Sequence, residues 1–466
     1  MKQLPEKLLE SLEGLPGFNR NSFVKSHEEG ASITSIRFNP LKAPQQFNTT
    51  VDFPFQNSGP VPWSEFGYFL SERPSFTFDP FFHAGLYYVQ EASSMFLEQA
   101  LKQLLPKVQD LKLLDLCAAP GGKSTHIQSL ISKNSLLVSN EVIKSRSHIL
   151  VDNIIKWGCN NVMVTNNDPS AFQKLEGFFD VMVVDAPCSG SGLFRRDEDA
   201  IDEWSTGNVQ LCSQRQQRIL ADALPCLKQN GILVYSTCSY SKEEDECIMD
   251  WLVEEMKMEN LPLEVHPEWK IVTTYSSTTH SEGYRFYPDQ IKGEGFFLSC
   301  FRKTEPSKTP RMRQAKIEKA NSKELNVIQK WLKQEDLLVI RNEEKYFALN
   351  PAHLEAYSLL ASSLRVVYWG TELGQIMKDR LVPSHALALS YLVSENIPCN
   401  ELSYDDAIRY LQRAEIHLET ESRGWQLVRY EGQNLGWVNV LANRVNNYYP
   451  KELRILKQQN DSSFKK

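Results

Sequence analysis

Two cysteines of this sequence lie in short polar segments that directly follow apolar runs. The run 179–184 leads into Asp185-Ala186-Pro187-Cys188, and the run 231–236 leads into Thr237-Cys238-Ser239. An ionised thiol is a strong nucleophile, and a carboxylate beside it can hold a substrate by hydrogen bonds. The two segments therefore predict covalent catalysis by a cysteine, with Asp185 as an acid that binds the substrate.

A cytosine ring is a substrate that this residue set could activate. Carbon 5 of cytosine is a poor nucleophile, but a thiolate that adds to carbon 6 makes the ring an enamine-like species able to attack a methyl group. Asp185 could bond the amino group and ring nitrogen, and Lys123 is a candidate for the positive charge that favours thiol ionisation. The base must also leave its stack, which costs roughly a few kcal/mol. Local chemistry alone does not decide whether Cys188 or Cys238 adds to the ring.

The other seven cysteines stand in no comparable motif, and we expect them to be small buried hydrophobic residues. The nine cysteines form no C-x-x-C pair and no dense framework, which argues against a zinc site and against structural disulfides. The seven are Cys117, Cys159, Cys212, Cys226, Cys247, Cys300 and Cys399.

The catalytic segments belong to a stretch, 112–301, in which apolar runs alternate with helical patterns. That alternation is typical of βαβ units on a mostly parallel sheet, here an α/β sheet of Rossmann-like type. Because the carboxyl ends of parallel strands meet at one edge, Cys188 and Cys238 come together if their strands are neighbours. The predicted strands are 111–116, 136–139, 162–165, 181–184, 231–236 and 295–302.

The first predicted strand ends in a turn of small residues, Cys117-Ala118-Ala119-Pro120-Gly121-Gly122-Lys123. Its two adjacent glycines have neither the dinucleotide nor the Walker spacing, which disfavours a pyrophosphate ligand and favours a nucleoside-like cofactor. Glu141 ends the second strand, where it can accept ribose hydroxyl protons, and Asp168 follows the third, where it can accept from an adenine amine. Either acid alone could be a solvated loop residue; their succession favours binding.

Composition divides the chain into four segments. Residues 1–105 are rich in Phe, Pro and Trp and form a predicted α+β RNA-recognition module, with an excursion at 45–61. The Rossmann-like domain spans 106–303, and a basic linker spans 304–322. A C-terminal α+β domain then spans 323–466, and its runs 425–430 and 435–440 predict a hairpin.

The net charge of -7 provides no general attraction to a polyanion, so an RNA partner would be held by local basic patches. The linker and the tail are candidates, although charge runs are as often solvated faces. No stretch has the ~18 apolar residues of a membrane span, and no secretory signal is evident. We therefore expect a cytoplasmic monomer that does not bind membranes or metal. The candidate RNA contacts in the tail are Arg444, Lys451, Arg454 and Lys457, with Tyr448 or Tyr449 stacking on a base.

Three ordered motifs, 115–123, 185–190 and 236–239, resemble those of the RNA cytosine-5 methyltransferases related to bacterial Fmu and the nucleolar NOL/NOP/Sun proteins. The resemblance extends upstream through 83–94 and covers roughly 20–303. The C-terminal segments around 435–437 and 443–451 are similar to the tail of the ribosomal RNA small subunit methyltransferase F type, which carries a PUA-like RNA-binding module. The resemblance therefore predicts the same module within 323–466.

The resemblance implies an S-adenosylmethionine-dependent enzyme that methylates cytosine carbon 5, with 16S ribosomal RNA of the small subunit as acceptor. It implies that Cys238 is the nucleophile and that Cys188 assists release of the methylated RNA. The cofactor would be contacted by the turn 117–123, Glu141, Asp168 and Asp185.

The same chemistry on tRNA and a noncatalytic RNA-binding factor of ribosome assembly both remain alternatives. A nucleotide-dependent oxidoreductase is disfavoured because Gly121 and Gly122 do not form the dinucleotide pattern. An amino-directed methyltransferase would have an aromatic residue where Cys188 stands.

Overall fold

The structure is a computed structural model that describes residues 2–30, 33–43, 56–105, 110–308, 314–333 and 336–457. Residues 45–55 of the predicted excursion lie outside the described residues, and so do residues 309–313 of the predicted linker. Within the described residues no helix is both long and apolar enough to cross a bilayer.

A ten-stranded mixed sheet forms the centre of the molecule. Its strands run in the order β11-β12-β13-β9-β8-β5-β6-β7-β17, and β10 pairs with β13. The parallel part is β9-β8-β5-β6-β7, whose strands are buried almost without interruption because helices cover both faces. The elements are β5 (Lys112–Asp115), α5 (Gly122–Leu130), β6 (Leu136–Asn140), α6 (Lys144–Trp157), β7 (Val162–Thr165), β8 (Phe179–Asp185), α7 (Asp199–Glu203), α8 (Thr206–Ala223), β9 (Leu227–Thr237), α9 (Glu246–Glu254), β10 (Met258–Asn260), β11 (Val272–Tyr275), β12 (Glu282–Phe286), β13 (Phe296–Lys303) and β17 (Val366–Trp369).

The strand order reverses direction at β5. From β5 the chain proceeds outward through β6 and β7, and it then returns to the other side of β5 as β8 and β9. In open α/β sheets ligands bind in the crevice at the carboxyl ends beside such a switch point. The predicted α/β sheet is confirmed, and the predicted cofactor turn follows the strand at which the order reverses.

One strand of the central sheet comes from the C-terminal part of the chain. β17 pairs antiparallel with β7, with Val366 opposite Thr165 and Trp369 opposite Met163. Backbone groups beyond this pairing reinforce the junction, because the Asn166 N–H donates to the Arg365 carbonyl at 3.0 Å. Nothing in the sequence pattern predicts that a strand from beyond residue 303 joins the central sheet.

The N-terminal residues form a smaller α+β module, as the sequence predicts. Its antiparallel sheet has the order β2-β3-β1-β4. The buried guanidinium of Arg37 on β1 joins the module to α5 by donating to Thr125 Oγ1 at 2.7 Å. The elements are α1 (Glu6–Leu12), α2 (Arg20–Glu28), β1 (Thr34–Phe38), β2 (Asn57–Pro60), β3 (Gly67–Leu70), α3 (Pro80–Ala84), β4 (Tyr87–Val89) and α4 (Leu97–Leu104).

The C-terminal residues form two further sheets, β14-β15-β16-β18-β19 and β20-β21-β22-β23. The predicted hairpin is confirmed, because β21 and β22 pair antiparallel around the turn at Glu431 and Gly432. The end of the predicted linker contributes the short strand β14. The elements are β14 (Glu318–Lys319), α10 (Ser322–Ile328), β15 (Leu338–Asn342), β16 (Lys345–Leu349), α11 (Leu354–Ser363), β18 (Thr371–Met377), β19 (Arg380–Pro383), α12 (His385–Leu389), β20 (Cys399–Glu401), α13 (Tyr404–Leu411), β21 (Gly424–Tyr430), β22 (Gln433–Val440) and β23 (Val445–Asn447).

The cysteine prediction needs a correction at two positions. All nine thiols are free, but Cys247 and Cys399 are exposed rather than buried. Cys247 lies in the first turn of α9, and Cys399 begins the edge strand β20, so neither points into a core. Among the seven, burial holds for Cys159, Cys212, Cys226 and Cys300, and Cys117 is half-buried.

Candidate functional site

The turn 117–123 connects the buried strand β5 to α5 at the switch point. Gly121 adopts a left-handed conformation with φ +115°, which a side chain would strain, and α5 begins directly after it. Neighbouring elements hold the turn from outside: Ala118 donates its N–H to the Asn140 carbonyl at 2.8 Å, and Arg146 donates to the Ala119 carbonyl at 2.7 Å. The backbone of the turn is therefore fixed by contacts from β6 and α6.

A buried carboxyl group supports this turn from below. Asp115, the last residue of β5, is fully buried and accepts a hydrogen bond from Ser124 Oγ on α5 at 2.6 Å. Burial raises the pKa of Asp115 to about 7, against a hydrogen bond from Ser124 and the charge of Lys123 that lower it. Asp115 is thus a structural acid that ties strand and helix together.

The two predicted cofactor acids lie on the β6–β7 side of the switch point. Glu141 is buried, and its Oε1 accepts from the Ile143 N–H at 2.8 Å, while Oε2 lies 3.7 Å from Arg146 Nη1. Asp168 is exposed and accepts from the N–H and hydroxyl of Ser170, hydrogen bonds that lower the pKa of Asp168. Both carboxylates retain an oxygen without a hydrogen bond to the described residues, as recognition of ribose and adenine donors requires.

Asp185 ends β8 on the opposite side of β5. Its Oδ2 forms an ion pair with Lys123 Nζ at 2.8 Å, and its Oδ1 accepts from Ser236 Oγ on β9 at 2.9 Å. Lys123 Nζ also lies 5.2 Å from the centre of the Phe296 ring. The predicted positive charge of Lys123 is therefore directed to Asp185, and among the described residues it forms no hydrogen bond with either catalytic cysteine candidate.

The two thiols meet at the ends of neighbouring strands. β8 and β9 pair in parallel with Asp185 opposite Ser236, and the segments that follow bring Cys188 Sγ to 2.9 Å from Cys238 Sγ. The Cys238 carbonyl in addition accepts from the Gly192 N–H at 2.8 Å. The hydrogen bond to Cys238, together with burial, raises the pKa of the Cys188 thiol well above its ordinary value. Both effects favour the protonated form of Cys188.

Sequence reasoning missed a buried carboxylate behind the thiols. Glu244 has no exposed surface, and it accepts hydrogen bonds from Ser189, Ser239 and Gln216. The acid-rich run 242–246 was the available signal, but such runs usually lie on solvated faces. Only the fold shows that Glu244 points inward.

The next two acids of the same run are also buried and hold the segment around Cys238. Asp245 accepts from Thr237 Oγ1 at 2.7 Å, and Glu246 accepts from Arg285 Nε at 2.7 Å. Arg285 donates further to the Tyr240 carbonyl at 2.9 Å. Burial raises the pKa of Asp245, whereas Arg285 lowers the pKa of Glu246 against the effect of burial. The backbone on both sides of Cys238 is therefore tied to α9 and β12.

A second concave surface lies in the C-terminal part, far along the chain from the thiols. This C-terminal groove has a volume of about 630 Å³ and is lined by the end of α10, by β19 and by the β21–β22 hairpin. Its cations form no ion pair with the described residues, and its half-buried aromatic side chains include Trp425, which contacts the exposed ring of Tyr448. The basic and aromatic lining residues are Lys330, Trp331, Arg380, Arg423 and Trp425.

The predicted tail contacts separate into exposed and buried residues. Tyr448 is 43% exposed, whereas Tyr449 is 1% exposed and hydrogen-bonds His83 across the interface with the N-terminal module. Arg444, Lys451, Arg454 and Lys457 are exposed. Tyr449 is therefore a packing residue, and only Tyr448 can stack on a base.

Comparison with known proteins finds matches along most of the chain. The family model described as 16S rRNA methyltransferase RsmB/F matches residues 102–302. Three more models match the flanks: the N-terminal domain of 16S rRNA methyltransferase RsmF at 4–92, the RsmF rRNA methyltransferase first C-terminal domain at 334–391, and the methyltransferase RsmF PUA domain at 398–455.

Individual relatives agree with the family models. Ribosomal RNA small subunit methyltransferase F of Aliivibrio fischeri strain MJ11 is 30% identical, over 90% of both chains. Its counterpart in Vibrio atlanticus is 31% identical, over 97% of both chains. Among solved structures, a methyltransferase homologue from Pyrococcus horikoshii superposes with a TM-score of 0.51 and 29% identity, covering 64% of this chain and all of that one.

Proposed function

Since this chain belongs to the ribosomal RNA small subunit methyltransferase F family, we propose that its acceptor is carbon 5 of a cytosine and that Cys238 is its covalent catalyst. The chain is a methyltransferase of small subunit ribosomal RNA that uses S-adenosylmethionine. Its C-terminal residues include a PUA domain. The observation that carries the proposal of cytosine methylation through Cys238 is the contact of Cys188 Sγ and Cys238 Sγ at 2.9 Å.

The carboxyl edge of the sheet offers a donor and acceptor set that fits the cofactor. The fixed turn 117–123 lies beside Glu141 and Asp168, each of which has a carboxylate oxygen that accepts no hydrogen bond from the described residues. In this proposal the turn and these two acids hold the nucleoside part, and Asp185 borders its methyl-donating end. Bound S-adenosylmethionine supplies the electrophilic methyl group.

The proton on Cys188 determines the roles of the two sulfur atoms. A protonated Cys188 can donate to Cys238 Sγ, which favours Cys238 as the thiolate that bonds carbon 6 of the ring. Carbon 5 then becomes nucleophilic and is methylated. Release requires transfer of the carbon-5 proton to a water molecule; the electron pair of that C–H bond restores the ring double bond, and the carbon 6–sulfur bond breaks with its electron pair returning to Cys238 as a thiolate. The Cys188 thiol stabilises this departing thiolate by the same hydrogen bond.

Asp185 binds the flipped base in this proposal. Its side chain is 38% exposed, although Lys123 and Ser236 fix its orientation. Its carboxylate can therefore accept from the cytosine amino group while the ring acquires charge.

The test is methyl transfer from labelled S-adenosylmethionine to 16S rRNA, with the product identified as 5-methylcytosine by mass spectrometry. Cys238→Ala is expected to abolish transfer. Cys188→Ala is expected to accumulate a covalent protein–RNA adduct, seen as a band that resists denaturation. Full activity of Cys238→Ala, or loss of activity in Cys188→Ala without an adduct, would contradict the assigned roles.

The C-terminal groove is the surface that we infer to bind a single-stranded segment of the RNA. Its cations Lys330, Arg380 and Arg423, which form no ion pair with the described residues, can neutralise phosphates, and the exposed ring of Tyr448 beside Trp425 can stack on an unpaired base. Local cations are needed because the chain as a whole carries a net charge of -7.

A further inference from the structure

The Glu244 carboxylate lies between the two segments that carry the thiols. We propose that Glu244 is a positioning residue of the two-cysteine centre, which holds Cys188 and Cys238 in contact and retains the proton on Cys188. The inference rests on the proposed function, because it assigns a role within covalent catalysis. Neither the family match nor the sequence motifs assign a role to this residue.

Each oxygen of Glu244 contacts the residue that follows a cysteine. Oε1 accepts from the Ser189 N–H at 2.8 Å, and Oε2 accepts from the hydroxyl groups of Ser189 and Ser239. Ser189 directly follows Cys188, and Ser239 directly follows Cys238. One buried carboxylate therefore sets the separation of two loops that are 50 residues apart in sequence.

A second side chain extends this contact to the other flank of Cys188. Gln216 Nε2 on α8 donates to Glu244 Oε1 and to the Pro187 carbonyl, both at 3.1 Å. Glu244 is itself anchored to β9, because the Tyr235 hydroxyl donates to its backbone carbonyl at 2.7 Å. Glu244 and Gln216 thus fix the backbone on both sides of Cys188. Glu244 is in turn tied to β9, the strand that leads to Cys238.

The charge of Glu244 acts on the same thiols. The carboxylate is completely shielded from solvent, so its field reaches Cys188 with little screening. The hydrogen bond with Cys238 and burial raise the pKa of Cys188 most, and the charge of Glu244 raises it further, because one negative charge opposes formation of a second. Burial raises the pKa of Glu244 itself above its ordinary value, against hydrogen bonds from Ser189, Ser239 and Gln216 that lower it.

Substitution by glutamine can separate the charge from the hydrogen bonds. A glutamine amide oxygen at Oε1 accepts from the two N–H donors, and its NH₂ group at Oε2 donates to the two hydroxyls, which are able to accept. Glu244→Gln therefore keeps the scaffold and removes only the charge, whereas Glu244→Ala removes both. Glu243→Gln is the matched control, because the neighbouring Glu243 is half-buried and its side chain forms no hydrogen bond or ion pair with the described residues.

The first measurement titrates the full-length variants with phenylarsine oxide, which binds two adjacent thiols at once. Without RNA or cofactor, Glu244→Ala is expected to raise the dissociation constant about tenfold or more, since several hydrogen bonds to a charged group are lost. Both glutamine variants are expected to bind like the parent protein. Cys188→Ser defines the background from the other cysteines.

The second measurement follows alkylation of Cys188 by iodoacetamide against pH, quantified on the Cys188 peptide by mass spectrometry. Removal of the charge in Glu244→Gln is expected to move the midpoint to lower pH, and Glu243→Gln to leave it in place. In methyl transfer, Glu244→Gln is expected to lower kcat without changing KM for RNA. A role in loop stability alone would move neither the midpoint nor kcat in this way.

Two results would overturn the inference: a folded Glu244→Ala protein that binds the arsenical normally, or a Glu244→Gln protein with an unmoved Cys188 midpoint. If Glu244→Ala does not fold, the pH midpoint of Cys188 alkylation in Glu244→Gln tests the inference by itself. Both thiol readouts are independent of methyl transfer. The expected thiol behaviour in a protein that never forms 5-methylcytosine would therefore refute the proposed function and leave the arrangement around Glu244 intact.

Discussion

The charged side chains of Asp185 and Glu244 are paired or buried at the carboxyl edge of the central sheet, whereas the cations of the C-terminal groove are exposed to solvent without an acidic partner among the described residues. At the sheet edge, Asp185 is paired with Lys123 and the carboxylate of Glu244 is completely buried and saturated with donors. In the groove, Arg380 and Arg423 have no acidic partner among the described residues. Paired and buried groups hold a fixed geometry, as a reacting centre requires, whereas unpaired surface cations are available to phosphates. The comparison predicts that changes at the edge affect kcat and that changes in the groove affect RNA affinity.

The largest effect is expected from Asp185→Asn. The amide keeps the volume but loses the charge that accepts from the base, so kcat should fall by about 10²–10³-fold. RNA affinity, measured by filter binding, should stay the same. The control is Asp180→Asn at the other end of β8, where the aspartate is likewise paired with a lysine, Lys228. Weaker RNA binding with an unchanged kcat would break the comparison.

A smaller effect is expected from charge reversal in the groove, Arg380→Glu with Arg423→Glu. The RNA dissociation constant should rise about tenfold or more, and the slope of log affinity against log salt should fall by about 1.5, because roughly two phosphate contacts are lost. At saturating RNA, kcat should not change. Lys257→Glu with Lys270→Glu, in turns near β10 and β11, makes the same charge change elsewhere. If that pair weakens binding equally, attraction is general and the groove is not the site.

The smallest effect concerns pH and stability. Because the folded-state pKa of Asp115 is raised to about 7, its contribution to stability is full at low pH and is lost as pH rises from the unfolded value towards 7. The melting temperature should therefore fall between about pH 4 and about pH 7, and Asp115→Asn should reduce that fall by about 2–4 °C. Asp110→Asn, an exposed aspartate before β5, is the control in the same calorimetric scan. An identical pH dependence in both variants would contradict the assigned titration.

The sequence was most informative where a local pattern determines position. Apolar runs that end in Asp185 and Cys238 predict parallel strands whose ends share an edge, and the observed pairing of β8 and β9 agrees. The hairpin around Gly432 was likewise predictable, since both flanking runs and the turn lie within a short stretch. The roles assigned to the site residues, in contrast, stay predictions until the variants are measured.

Contacts between distant segments could not be predicted. The ion pair of Lys123 with Asp185 depends on which strands flank β5, and a single sequence does not show that order. Glu244 was hidden because an acid in a charged run is usually solvated, and its burial depends on donors from three other segments. Tyr449 was equally ambiguous, because its partner His83 belongs to the N-terminal module.

The strand β17 has a consequence for how the molecule can be divided. A fragment that stops after β13 would leave the backbone donors and acceptors of β7 as an open edge beside Glu141 and Asp168, and open edges recruit other chains. Isolated catalytic sheets made by truncation should therefore self-associate. The same pairing anchors the downstream residues to the sheet, so the distance between the C-terminal groove and Cys238 is set by the fold and not by a flexible linker.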